Sequence, residues 1–136
     1  MSRSRRVLVA TGKRCPSAAL ELATDLAGER GEVVLAAILV VPLALPMDAS
    51  LAEAVTLVCE VLDQGERELA DAHERDTRLV RARSFSEGVL ETLAAERFDL
   101  LLIERLKNGR DRSEANAQIA TILEKAPVTV LIARPS

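Results

Sequence analysis

The sequence predicts a single α/β domain spanning residues 1–136, a doubly wound sheet of five parallel strands with helices on both faces. Three observations lead there. Apolar, β-branched blocks alternate with helix-patterned blocks along the whole chain, giving the order βαβαβαβαβ. Each intervening block is long enough for a crossover helix. One block, "EVVLAAILVV" (Glu32–Val41), is apolar at every position after the first, as expected of an interior strand covered on both sides.

The elements follow in order. "RRVLVAT" (Arg5–Thr11) reads as the first strand. In "CPSAALELATDLAGERG", Pro16 suits a first helical position and Gly31 a C-terminal stop, while Ala19, Leu22, Ala23 and Leu26 share one helical face. After the second strand, "PLALPMD" (Pro42–Asp48) is a proline-bounded loop. A long helix is expected from about Ser50 to Glu74, with Leu51, Val55, Val58, Leu62 and Leu69 inward and Gly65 loosening its second half. "TRLVRAR" (Thr77–Arg83) alternates, which suits a half-exposed strand near a sheet edge. Ser84 and Glu87 stand at capping-box spacing and open the third helix. "FDLLLIE" is the fourth strand, "SEANAQIATILEKA" the last helix and "VTVLIA" the last strand.

Composition removes several functions. Only Phe85 and Phe98 are aromatic, so nucleic-acid recognition by stacking is excluded, and a net charge of −3 argues against a polyanion binder. Cys15 and Cys59 are far apart and His73 stands alone, so no metal set is expected. The run Val33–Met47 is broken by Pro42 and Pro46, well short of the roughly 20 residues of a membrane span. "MSRSRR" is too short and polar for a secretory signal, and the expected compartment is the cytoplasm. In an open parallel sheet, ligands bind beyond the strand ends where the strand order reverses, which points to the loops after Thr11 and Ile103.

The five-strand alternation, "FDLLLI" before a charged loop, and the ending "ILEKAPVTVLIAR" together resemble the universal stress protein family over nearly the whole chain. "VPLALPMDASLAEA" and the Ser-x-x-Glu opening of the third helix resemble a subgroup associated with amino-acid permeases and cation antiporters. The chain begins at Met1 without a spanning segment, so a free-standing domain is expected, with a transporter or other regulatory protein as possible partner. The resemblance implies the strand order 3-2-1-4-5. It also implies a nucleotide site, with an acidic residue ending the first strand and a Gly-x2-Gly-x9-Gly-Ser/Thr loop following the fourth. Matched onto that site, the candidate residues are Gly12, Lys13, Val41, Ile103, Lys107, Gly109, Arg110, Asn116 and Ala117.

The match is by position only. Gly12 stands where the acid would be, Glu104 and Lys107 replace the first two loop glycines, and Asn116-Ala117 replace the final pair. Replacing a glycine held at positive φ costs on the order of 1–3 kcal/mol, and a carboxylate at Glu104 repels phosphate. The expectation is a degraded motif, no bound cofactor, and ATP or AMP disfavoured. Two readings of the loop stay open. Arg105, Lys107, Arg110 and Arg112, with Lys13 and Arg14, could form a rebuilt anion site for a nucleotide or other phosphorylated ligand; or they are solvated charges that keep the protein soluble.

Cys15, at a helix start beside Lys13 and Arg14, is either an acidified thiol or half-buried packing, and Cys59 is expected in the core. No catalytic constellation is found, so a non-enzymatic regulatory or interaction module is expected. Val128, Val130 and Ile132 on the last strand are the expected contacts of a homodimer, because family members commonly pair through that edge.

Overall fold

The computed structural model describes residues 5–72, 74–105 and 112–135. The chain runs β1 (Arg6–Thr11), α1 (Ser17–Ala27), β2 (Glu32–Val40), α2 (Ala52–Glu68), β3 (Glu74–Ala82), α3 (Phe85–Ala95), β4 (Leu100–Glu104), α4 (Arg112–Lys125) and β5 (Thr129–Ala133). The five strands form one sheet in the order β3-β2-β1-β4-β5. Every neighbouring pair is parallel, with Val9 of β1 opposite Leu35 of β2 and Leu102 of β4.

The apolar content of the central strands dictates the layering. β1, β2 and β4 are buried on both faces, so each face must be covered. Val7, Val9, Val33, Leu35 and Leu102 pack against Leu20 and Ala23 of α1 and Leu69 after α2. Leu8, Val34 and Leu101 pack on the other face against Val89 and Leu93 of α3 and Ile122 of α4. The edge strand β3 is mostly half-exposed, as its alternating sequence suggests.

Local chemistry sets the helix ends. The Ser84 hydroxyl accepts the Glu87 N–H at 3.2 Å and starts α3 where the capping spacing predicts. α1 stops earlier than expected: Gly28, not Gly31, is its C-terminal cap, at φ 78°, a left-handed conformation that favours glycine. α2 also stops short, at Glu68 rather than Glu74, because Leu69 and Ala72 turn into the core. The residues after that turn extend β3 back to Glu74, three residues before the expected start. Cys59 is exposed rather than core, since α2 turns Val58 and Val61 inward instead. His73 lies outside the described residues.

Gly65 does not loosen α2. It is buried, and a Cβ there would come within 2.2 Å of Leu35 Cδ2, so glycine is what lets the helix ride directly on β2. Gly88 does the same for α3, where a Cβ would meet Ile38 Cγ2 at 2.7 Å. The amino end of the sheet is tied by charge. Arg6 bonds Glu32 and Glu96, stacks at 4.5 Å over the Phe98 ring, and shares Glu96 with Arg78.

Gly65→Ala is expected to destabilise the fold by about 1–3 kcal/mol through overpacking, offset in part by about 1 kcal/mol of helix propensity. A lowered thermal midpoint checks this; an unchanged or raised one would show that Leu35 yields freely.

Candidate functional site

β1 and β4 are neighbours whose following helices depart to opposite faces, and a gap opens at their carboxyl ends. The gap is a cleft of about 350 Å³ lined by residues of the β1–α1 loop, the ends of β1 and β4, and the inner side of α4. Its walls are apolar: Ala10, Ile103, Phe85 and Ile119. Its polar groups are Thr11, Lys13, Arg14, Glu104 and Gln118.

Helix N-termini at such a place ordinarily leave N–H groups for an anion. Here two of them meet the chain's own side chains. Pro16 at the head of α1 supplies no side-chain cap. Instead Glu104, the last residue of β4, reaches across, and its Oε1 accepts the Ala18 N–H at 3.2 Å. On α3 the Gln118 amide oxygen accepts the Ser86 N–H at 2.8 Å, beside the Ser84–Glu87 cap. The β1–α1 loop is closed on itself by the Thr11 hydroxyl, which donates to the Arg14 carbonyl at 2.6 Å.

Burial pushes the Glu104 carboxyl above its ordinary value. The Ala18 N–H and the Arg14 charge work the other way, and Glu68 adds to the rise. Behind Glu104, the Cys15 thiol donates to Glu68 Oε2 at 3.0 Å. Burial and that hydrogen bond push the thiol up to about 12. A thiol held protonated in this way is not activated, so of the two sequence readings the structure favours half-buried packing over an acidified cysteine.

A second recess of about 260 Å³ adjoins the cleft and shares Phe85, Ala115 and Gln118 with it; Val40, Arg83, Ser84 and Glu114 complete its lining. Arg83 is bound to the loop after β2, donating to the carbonyls of Pro42 at 2.6 Å and Leu45 at 2.7 Å. Arg81 donates to the carbonyls of Met47 and Ala49 in the same loop. The loop so fastened carries Leu43, which is 86% exposed.

Of the residues singled out from sequence, Gly12, Lys13 and Ile103 line the cleft. Val41 does not: it is fully buried, its N–H donates to the Ala82 carbonyl, and its own carbonyl accepts from Arg83. Asn116 and Ala117 point outward from α4 and are exposed, while Ala115, Gln118 and Ile119 face the cleft. Lys107, Gly109 and Arg110 lie outside the described residues. Sequence reasoning did not select Phe85 or Gln118. The Ser84 cap, which fixes the register of α3, was the signal for Phe85. Gln118 carried none, because only the helix crossing brings it to Ser86. Among the described residues no group of three or more His, Cys, Asp or Glu could hold a metal ion, and no described helix is long and apolar enough to cross a membrane.

Val128, just before β5, and Val130 within it pack onto the α3–α4 side of the core; β5 is an edge strand, and its Ile132 is 39% exposed.

This layout, a parallel sheet with its opening at the β1–β4 switch, belongs to the broad class of doubly wound α/β folds. More narrowly, the fold is that of the universal stress proteins. UspA of Lactobacillus plantarum superposes with a TM-score of 0.79 at 15% identity, over 98% of this chain and 100% of that one. A universal stress protein solved in complex with cAMP gives 0.67 at 15%, over 98% and 100%. The Archaeoglobus fulgidus protein in complex with dAMP gives 0.66 at 15%, over 95% and 97%. No family model and no curated protein matches the sequence. Identity this low speaks to fold alone, and nothing in these likenesses picks out the permease- or antiporter-associated subgroup.

Two outcomes are expected. Because Glu104 is raised in the folded state, its contribution to stability is present below the ordinary value of 4.5 and is lost as pH rises through the folded value. Thermal midpoints of the native chain and Glu104→Gln, taken from about pH 4 to 7, should therefore show the native chain losing ground as pH rises. Second, Cys15 should alkylate with iodoacetamide at least about tenfold more slowly than Cys59 at pH 8, read by peptide mass spectrometry. Equal rates would contradict the Cys15–Glu68 contact.

Proposed function

We propose that this chain is a non-enzymatic regulatory or interaction module with a universal stress protein fold, whose cleft does not cradle ATP in that family's usual manner. The observation that carries the reading is the Glu104 carboxylate seated on the Ala18 N–H at the head of α1. It puts a carboxylate where the switch point would otherwise offer a helix dipole to phosphate. The Val41 backbone is likewise committed within the protein.

A second reading keeps a phosphorylated ligand, held by the basic residues 105–112 together with Lys13 and Arg14. Its support is the cleft itself, with both cations in the lining, and the fact that two structures of this fold were solved with cAMP and dAMP. Pairing of two copies through β5, with Ile132 at the contact, a cytoplasmic location and a transporter or regulatory protein as partner belong to the favoured proposal. The support for pairing is an edge strand with an exposed Ile132.

Titration of nucleotide-free protein with MgATP by calorimetry is expected to show no stoichiometric low-micromolar binding. Such binding would sink the favoured reading, and its loss on changing Lys13 and Arg14 to Ala would install the second. Light scattering at micromolar concentration should give a dimer; a monomer removes the β5 pairing.

A further inference from the structure

A Ser-x-x-Glu sequence stands ahead of two helices, and the chain uses it at only one of them. At α3 the Ser84 hydroxyl accepts the Glu87 N–H, and the helix begins at the next residue, Phe85. Ser50 and Glu53 stand at the same spacing ahead of α2. There the helix begins at Ala52, one residue later than a Ser50 cap would start it. Leu51 is the N-cap instead, and no side-chain hydrogen bond serves it. Among the described residues, Leu51 is also the one non-glycine residue at positive φ, with φ 41° and ψ 41°. That is the left-handed region, where an L side chain crowds its own carbonyl, and leucine has no polar group to compensate.

Two sets of contacts hold Leu51 in this conformation. Its side chain packs half-buried against the cluster of Ala37, Leu39 and Val58. The chain before it is folded into two turns, with the Leu45 N–H on the Pro42 carbonyl and the Ala49 N–H on the Pro46 carbonyl. Arg81 Nη1 fastens the second turn, donating to the carbonyls of Met47 at 3.2 Å and Ala49 at 2.6 Å. The Leu51 carbonyl already accepts the Val55 N–H at 2.9 Å, so only the φ and ψ of Leu51 keep it out of the helix. Returning them to right-handed values redirects the chain at Ala49, which Arg81 holds. The Arg81 bonds and the Ser50 cap are therefore alternatives.

We infer that residues 42–51 form a two-state element set by the backbone of Leu51. In the described state Arg81 holds the loop, Leu51 is left-handed and the head of α2 lacks a side-chain partner. In the second state Leu51 joins α2, the Ser50 hydroxyl accepts the Glu53 N–H, and the Glu53 carboxylate accepts the Ser50 N–H. The Arg81 bonds are then given up to water. The exchange trades one small set of hydrogen bonds for another, so a contact made in only one state tips it. Leu43, Leu45 and Met47 are exposed on this loop and move with it, and the two states present different apolar surfaces. Such a device works whether or not the cleft takes a ligand.

The test is amide hydrogen exchange at Glu53, read by NMR on the full chain with and without Ser50→Ala, in the native, Arg81→Gln and Leu51→Gly backgrounds. Arg81→Gln frees the loop, so Glu53 should gain protection over the native chain and the Leu51 Cα shift should move toward its helical value. Adding Ser50→Ala should cancel that gain, a fall of about fivefold, the usual effect of one lost helix cap. In Leu51→Gly, where glycine accepts the left-handed conformation, Ser50→Ala should change nothing. Circular dichroism checks folding; should Arg81→Gln fail to fold, Leu51→Ala replaces it with the same expectation, because alanine loosens the Leu51 packing and favours the helix. Absence of a gain at Glu53 in the freed chain overturns the inference. A Ser50→Ala effect in Leu51→Gly as large as that in Arg81→Gln overturns it too.

Discussion

The structure depends on the burial of three central strands on both faces. β1, β2 and β4 carry almost nothing but aliphatic side chains, so a sheet covered on one side would leave half of them in water. Two helical layers are the remedy, and right-handed crossovers can build both layers only if the chain changes direction across the sheet. That change falls between β1 and β4. The opening at their carboxyl ends is thus a by-product of covering the core, present whether or not a ligand uses it.

The chain fills the polar needs of this opening from within. The heads of α1 and α3 need hydrogen-bond partners, and a bound anion is only one source of them. Here Glu104 and Gln118 come from elements distant in sequence and supply partners from within. A charge-assisted bond such as Glu104 to Ala18 is stronger than a neutral one, and the burial of its carboxylate offsets part of that gain. The site is organised without a guest. A phosphate at that helix end would have to compete with Glu104 for it.

Much of the fold was legible because it is written in local patterns. Continuous apolar runs marked the interior strands, Ser84 marked the start of α3, and alternation in Thr77–Arg83 marked an edge. The ends of α1 and α2 were not legible. Gly28 and Gly31 both look like stops, and the chain takes its positive φ at Gly28; the end of α2 depends on Leu69 entering the core. Gly65 misled for a related reason: glycine reads as weakness in a helix, whereas contact with Leu35 makes it a packing requirement. Topology pointed to the loops after Thr11 and Ile103, where a cleft does open, with Gly12, Lys13 and Ile103 in its lining. Its cross-chain contacts, Glu104 to Ala18 and Gln118 to Ser86, are long-range in sequence and leave no periodic trace.

Two arginines at the end of β3 carry a further consequence. Arg81, on β3, and Arg83, just past its end, fasten the Pro42–Ala49 loop by its own carbonyls, and β3 is an edge strand paired with β2. When β3 detaches, the loop loses those bonds at the same moment. Strand and loop are therefore coupled, since detaching one strips hydrogen bonds from the other. The apolar side chains that the loop displays, Leu43 foremost, thus depend in part on the integrity of that edge.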